Sequence, residues 1–523
     1  MKRYLRIFYL LLATITSYSQ VPTISLKQCY GGSDQDWGRK IIEGNVSTLQ
    51  TCIICGETKS DNDDILSNQG GSDIFWIRVD TSGAIINRNV IGGSDDDIFS
   101  DVIQGWNGGY ILLGSTKSID GNVTGNHGMM DIWLASVSNQ GVLQWQKCFG
   151  GSNDDFSSSI IKTEDSCYVI SARTMSTDGD ISINHGLPNT NDFWLLKIDR
   201  TGNLLWQKTY GGPNGDYAWN AIQASDGGFI VCGGTFSDSV QVSGNHGSED
   251  FWVIKTDSSG NLQWQKCYGG SSFEEAFKVV EKNNLYYIIG TNNSNDGDIS
   301  GNHLSSGAAS SDVWLICIDS TGSLQWQKSL GGSHQEIGTD LIYYNHYLFI
   351  GSSSSSNDGD VTNTHAISSD YWLMQLDTTG NIIWQNCYGG TDHEYLQSIL
   401  LDNGKLYSVG HGLSNDGDIS GNHGFIDTWL LRLEIDSLLN TSEIILPKSE
   451  VSFVPNPASS FLLINASGHF EVAIYDLQGR KVLECNGYEN YLLDMRTITN
   501  GLYLIKIKYS NSNYFFNHII INH

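Results

Sequence analysis

One phrase recurs seven times between Tyr30 and Gly390. A Gly-Gly turn leads into two apolar strands, a loop built on Asp-Gly-Asp, an Asp-x-Trp strand and a segment that commonly ends Trp-Gln-Lys. The first glycines of the doublets are Gly31, Gly92, Gly150, Gly211, Gly269, Gly331 and Gly389, spaced 58–62 residues apart. A period of that length with β-type composition restricts the chain to a propeller or a solenoid.

Each copy carries four strand signals. In the copy that opens at Gly150 they cover 156–162, 167–174, 192–199 and 204–210, with a long loop at 176–191 and a turn at Thr201-Gly202-Asn203. The third strand is apolar on both faces: Trp194, Leu196 and Ile198 point one way, Phe193 and Leu195 the other. Such a strand lies between two sheets. The tryptophan recurs as Trp133, Trp194, Trp252, Trp314, Trp372 and Trp429, with Phe75 in the first copy. Burying each ring stabilises by roughly 2–3 kcal/mol, so the series reads as a packing device. The last copy stops after its third strand, and 24–30 (ISLKQCY) reads like 262–268 (LQWQKCY). The N-terminal strand therefore supplies the missing fourth strand and leaves no open sheet edge. The expected fold is all-β, a seven-bladed β-propeller closed by an N-terminal strand and followed by a small C-terminal β-sandwich.

The repeated Trp-Gln-Lys-x-x-Gly-Gly-x-x-x-Asp/Glu core and the Asp-Gly-Gly-Tyr/Phe hairpin resemble the seven-bladed β-propeller repeat family of bacterial exported proteins, over residues 24–434. Near the end of the chain, Val454-Pro455-Asn456-Pro457-Ala458, a hairpin turning at 476–480 with Gly479 and Arg480, and a closing segment with Gly501 and Tyr503 follow in order. These closely resemble the C-terminal sorting domain of the type IX secretion system of Bacteroidetes-type bacteria. The resemblance implies a β-sandwich read by the outer-membrane translocon and usually then removed, with the protein released or held at the cell surface. Expected domains are a signal peptide at 1–19, the propeller at 20–434, a linker at 435–450 and the sorting domain at 451–523. The signal reading rests on Lys2, Arg3 and Arg6, the apolar run 7–13 and a small-x-small site at 17–19. No stretch is long enough to span a membrane.

Net charge is −28, which disfavours nucleic acid and anionic lipid and suits cations. Ten cysteines in an exported chain suggest disulfides. Cys29, Cys148, Cys267 and Cys387, however, hold one repeat position two copies apart, beyond the ~7 Å reach of a bridge. Most are read as small buried apolar groups.

The Asp-Gly-Asp loops and the acids after the Gly-Gly turns should crowd one strongly negative face. Two readings of the loops stand. Calcium would take Asp120 and Asn122, Asp178 and Asp180, Asp296 and Asp298, Asp358 and Asp360, Asp416 and Asp418, because Ca²⁺ wants six to eight oxygens. Turn chemistry would use the same residues to cap their own backbone. In the fourth copy Ser237-Asp238-Ser239 replaces the motif, and in the first Asp61-Asn62-Asp63-Asp64 lacks the glycine. His127, His185, His246, His303, His365 and His423 end these loops and read as loop anchors. Asp73, Asp131, Asp192, Asp250, Asp312, Asp370 and Asp427 read as acceptors of backbone N–H bonds. The pattern Asp199-x-Thr201-Gly202-x-x-x-Trp206 resembles the tryptophan-docking repeats of quinoprotein dehydrogenases, but no vicinal cysteine pair accompanies it. Trp37, Trp219, His334, His393 and His411 break the repeat, and the two tryptophans read as core or as sugar-stacking groups. No catalytic or cofactor residue is assigned. The expected role is a secreted or cell-surface binding scaffold exported through the type IX translocon, with a glycan or protein ligand on the acidic face. A lyase or glycosidase is the alternative, and a quinoprotein dehydrogenase stands behind it.

Overall fold

The computed structural model describes residues 21–46, 49–303, 310–365, 368–435, 452–454, 460–465, 469–476, 480–488, 491–509 and 514–521. The expected signal peptide and nearly all of the expected linker lie outside them. All regular structure among the described residues is β, and the chain divides into two compact units, Met1–Leu438 and Leu439–His523. No helix among these residues is long and apolar enough to cross a membrane.

The first unit holds seven four-stranded antiparallel sheets among the described residues. Sheets 1 to 6 run 36–91, 97–149, 155–210, 216–268, 274–330 and 336–388. Sheet 7 combines 394–434 with the N-terminal strand Thr23–Tyr30, which pairs antiparallel with Asp427–Glu434 and sets Tyr30 opposite Thr428. In sheet 3 the strands are Asp155–Lys162, Tyr168–Thr174, Asp192–Ile198 and Leu204–Tyr210, within a residue or two of the expected ranges.

The two apolar faces of the third strand meet different neighbours. Trp194, Leu196 and Ile198 pack with Leu113 and Leu134 of sheet 2. Phe193 and Leu195 pack with Trp252 and Ile254 of sheet 4, the Phe193 and Trp252 rings 4.5 Å apart. In sheets 2 to 6 the indole N–H finds a glutamine of the fourth strand: Trp194 Nε1 donates to Gln207 Oε1 at 3.1 Å and Trp252 Nε1 to Gln265 Oε1 at 2.9 Å. Trp429 has no such partner, since Lys27 stands at that place in the N-terminal strand.

First strands of successive sheets pack together from sheet 1 to sheet 7, and Glu394–Asp402 of sheet 7 packs on Asp36–Val46 of sheet 1. Fourth strands dock forward: the Tyr210 and Tyr268 hydroxyls donate to the Gly260 and Gly322 carbonyls of the next sheet at 2.5 Å. Tyr30 makes the same bond to Gly83 of sheet 1 at 2.7 Å. The N-terminal strand thus acts as the fourth strand its sequence suggests. All ten cysteines are free, and seven of them are buried.

In the second unit a three-stranded and a four-stranded sheet share one core, with Leu462, Ile464 and Leu493 from the first and Val472, Ile474, Ile505 and Ile507 from the second. The expected turn is closed by Arg480, whose N–H donates to Asp476 Oδ1 at 2.9 Å. Gly501 opens a strand, and Tyr503 sits in the core with its hydroxyl on the Thr499 carbonyl at 2.9 Å. Pro455, Asn456, Pro457 and Gly479 lie outside the described residues.

Candidate functional site

The acids around the Gly-Gly turns separate into a buried set and an exposed set. The first residue of each first strand is always acidic: Asp36, Asp97, Asp155, Asp216, Glu274, Glu336 and Glu394, all fully buried. Asp155 shows why. Its Oδ2 accepts the Gly151 N–H at 2.8 Å and the Ser176 hydroxyl at 2.8 Å, and Oδ1 takes the Thr174 hydroxyl. A β-carbon at Gly150 would collide with Asp131 and come within 2.9 Å of Asp155 Oδ2, so the turn has to be glycine. Burial pushes Asp36 and Asp155 up to about 6, and Asp216 and Glu394 up to about 7. The expectation of one strongly negative face is corrected here for these seven acids, which are internal latches rather than surface charges.

The Asp-Gly-Asp loops latch onto the same turns. Asp120, Asp178, Asp296, Asp358 and Asp416 each accept, through Oδ1, the N–H of the residue after the doublet, at 2.7–2.8 Å. Asn122, Asp180, Asp298 and Asp360 accept the first glycine's N–H at 3.2–3.3 Å, and the Asp418 N–H donates to the Gly389 carbonyl at 2.8 Å. Among the described residues no group of three or more His, Cys, Asp or Glu side chains is arranged to hold a metal ion. The bonds these side chains make are those of a backbone latch.

Two copies depart from the glycine pattern, and the fourth was read out of register. The central glycine takes φ of 62–66° in the loops that have it. In the first copy Asp63 takes that place at φ 56°, and Asn62 accepts the Ser33 N–H at 2.9 Å. In the fourth, Val240 takes it at φ 70°, so Ser239-Val240-Gln241 is the equivalent triplet, not Ser237-Asp238-Ser239. Gln241 Oε1 accepts the Gly211 N–H at 3.2 Å. Pattern reading looked for a glycine and missed a valine in the left-handed region.

The six histidines anchor the loops, as expected. His127, His185, His246, His303, His365 and His423 each place Nδ1 2.6–3.1 Å from Asp131, Asp192, Asp250, Asp312, Asp370 and Asp427. The same oxygen accepts the histidine's own N–H, at 2.8 Å in His127. For His246, burial pulls the imidazole down, but the bond to Asp250 and the charges of Asp250 and Asp298 hold it above its ordinary value. In Asp199-x-Thr201-Gly202, Asp199 caps the hairpin at 2.8 Å to the Thr201 N–H, and Gly202 receives the Trp145 ring of sheet 2. That motif docks sheets.

The site that breaks the repeat lies elsewhere. Every first strand carries a β-bulge at one place, between Gly38 and Lys40, Phe99 and Asp101, Ser157 and Ser159, Ala218 and Asn220, Ala276 and Lys278, Gly338 and Asp340, and Leu396 and Ser398. A bulge leaves one residue unpaired and re-aims its side chain. The seven skipped residues are Arg39, Ser100, Ser158, Trp219, Phe277, Thr339 and Gln397, and all seven line one cavity of about 540 Å³. Each sits eight residues after its first doublet glycine.

The next residue inward forms a charged floor. Lys40 Nζ lies 4.0 Å from Asp101, and Lys278 Nζ 3.7 Å from Asp340. Burial alone would raise Asp340, but the charges of Lys40 and Lys278 outweigh it and leave the carboxyl below its ordinary range. Asp101 and Asp340 also accept the Ile160 and Ile399 N–H groups across to other sheets, each at 3.0 Å. Nearer the turns, Arg39 Nε bonds Glu57 at 2.9 Å, and Arg173 stacks on Phe156 and Trp219 at 4.8 and 4.9 Å. Trp219 Nε1 donates to Glu275 at 2.5 Å. Burial, then the charge of Glu275, pushes the neighbouring Glu249 far above the ordinary carboxylate range.

Of the residues singled out as irregular, Trp219 lines the cavity. His411 is buried, and burial with the charge of Arg39 pushes it down to about 3. Trp37 lies under Lys59 at 5.6 Å. His334 and His393 are exposed on the turns. Sequence reading missed the site as a whole, although the fixed offset of eight was a signal in plain view.

Residues 452–522 match the family model described as the secretion system C-terminal sorting domain. The protein is accordingly one exported through the type IX secretion system to the cell surface or beyond it. The chain is also similar to the Regulatory protein FlaEY of Caulobacter vibrioides, 22% identical over 279 residues, covering 50% of this chain and 28% of that one. It thus spans less than a third of that relative's length. Among solved structures it is similar to the extracellular domain of a hybrid two-component system from B. thetaiotaomicron (10% identity, 96% of this chain and 60% of that one, TM-score 0.40). The phage phi92 endosialidase is another (9% identity, 95% and 79%, TM-score 0.39).

Proposed function

We propose that residues 20–434 close into a seven-bladed β-propeller that binds a small polar ligand in its axial cavity outside the cell, without catalysis. A signal peptide at 1–19 starts export, and a linker at 435–450 joins the sorting domain at 451–523. The observation that carries this reading is the bulge series. All seven first strands contribute to one cavity, and the residues they contribute differ where the rest of the repeat is uniform. The packing of sheet 7 on sheet 1 and the Tyr30–Gly83 bond support closure. A cavity of about 540 Å³ is of the size that takes small molecules. The ligand surface is then the channel, and the loop rim serves mainly to hold its own turns.

Thr339→Trp tests it by filling the cavity. In a glycan-array and small-molecule screen of the full-length chain, capture seen with the wild type should vanish in the variant. Capture that persists would move binding to the rim and sink the axial reading.

A second reading, a glycan-cleaving lyase or glycosidase, draws on the Glu249–Glu275 pair. Glu275 holds the N–H of the cavity residue Trp219, and burial with the charge of Glu275 pushes Glu249 far above the ordinary carboxylate range, an arrangement suited to general acid and base. Release of new reducing ends from an arrayed glycan, abolished by Glu249→Gln, would replace the binding role with this one.

A further inference from the structure

Resting on the axial-pocket reading, we propose that the ligand is a saccharide bearing a single carboxylate, with Arg173 as its anion partner and Trp219 and Phe277 as the wall its ring packs against.

Four cations line the cavity, and three have acidic partners: Arg39 with Glu57, Lys40 with Asp101 and Lys278 with Asp340. Arg173 is the exception. Among the described residues its guanidinium makes no hydrogen bond or ion pair. Glu275, the acid whose charge acts on it, is engaged by the Trp219 N–H. Instead the guanidinium is sandwiched by rings, 4.8 Å from Phe156, 4.9 Å from Trp219 and 5.8 Å from Tyr217. A guanidinium stacks through its face and bonds through its edge. The rings crowd the half-buried guanidinium, and its N–H donors have no partner among the described residues. Leaving such donors unpaired is costly, and a carboxylate satisfies two at once.

The surroundings suit a sugar rather than a bare organic acid. Trp219 and Phe277 meet edge to face at 5.7 Å and form an apolar wall. The other bulge residues bring the hydroxyls of Ser100, Ser158 and Thr339 and the amide of Gln397 to the same cavity. Apolar ring faces beside short polar groups match a pyranose, whose C–H faces stack while its hydroxyls hydrogen-bond. The net charge of −28 sets the limit on ligand charge. Long-range repulsion opposes a polyanion, whereas one carboxylate is neutralised locally by one guanidinium.

Isothermal titration of the full-length chain with methyl glucuronide and methyl glucoside, at low salt, tests this. The glucuronide should bind at least about tenfold more tightly, one well-made charge-assisted pair. Arg173→Gln should erase that difference while leaving the glucoside unchanged, and Arg173→Lys should restore part of it. Trp219→Ala should weaken both sugars. Circular dichroism checks that each variant folds. Equal affinity for the two sugars, an unaffected Arg173→Gln, or no heat with either would overturn the proposal. If the sugars bind equally and Thr339→Trp abolishes both, the pocket stands and the carboxylate falls. If binding ignores Thr339→Trp, the pocket falls as well.

Discussion

Five residues after each first doublet glycine the chain always places an acid; three residues further on it places Arg, Ser, Ser, Trp, Phe, Thr and Gln. The two positions share a strand and a repeat, yet one is held constant and the other is free. The acid is fully buried and bonds its own turn, so any change leaves donors unpaired inside the protein. The bulge residue faces a cavity and carries no such duty. Sevenfold sameness here marks structure, and departure from it marks the surface available for recognition.

The largest effect should come from breaking the constant position. Asp155→Ala strands the Gly151 N–H and the hydroxyls of Thr174 and Ser176. It should cost about 2–3 kcal/mol in guanidinium unfolding. Gln397→Ala, three residues past the equivalent acid of sheet 7, should stay within about 0.5 kcal/mol. Equal costs would erase the distinction between latch and channel.

A second effect follows from charge. The latch acids Asp36, Asp155, Asp216 and Glu394 are raised by burial to about 6–7 in the fold. Between the ordinary carboxylate range and those values, the folded protein holds protons that the unfolded chain has released. Their contribution is therefore full below about pH 4 and is lost as pH rises through 6 to 7. Calorimetry should find Tm higher at pH 5 than at pH 8. Glu249→Gln removes the most strongly raised group near the channel and should recover about 2–4 °C at pH 8, with little change at pH 4. A Tm that climbs toward pH 8 would contradict this burial.

A smaller gain is expected at the rim. Val240 sits at φ 70° where five other copies have glycine, a conformation that costs a side-chain-bearing residue about 1–2 kcal/mol. Val240→Gly should raise stability by about 1 kcal/mol in the same denaturant assay, after the greater freedom glycine gives the unfolded chain. The smallest effect is EDTA, which should leave Tm within about 1 °C. A ligand at 100 times its Kd would add about 2.7 kcal/mol, so a clear drop would put calcium in the loops after all.

Much of this was legible beforehand because it is local or repeated. Period-two patterning gave the strands, and two-sided apolarity of 192–198 gave a neighbour on each face. The likeness of 24–30 to 262–268 gave the partner of the last sheet. Histidine and aspartate fell into place as loop anchors for the same reason: each bonds within a few residues of itself. Glycine served as a register mark until Asp63 and Val240 took its place, since a left-handed φ is a property of the backbone and not of any one side chain.

The chain by its own pattern therefore determined how many sheets form, how each is flanked, and how export is signalled. What the tertiary structure alone decided is the cavity. A bulge exists only as a mismatch between two paired strands, so the re-aiming of Arg39, Trp219 and Phe277 is written in the register of pairing. The unpaired state of Arg173 depends on which residues of other sheets come near it, a matter of distance in space that no spacing along the chain contains.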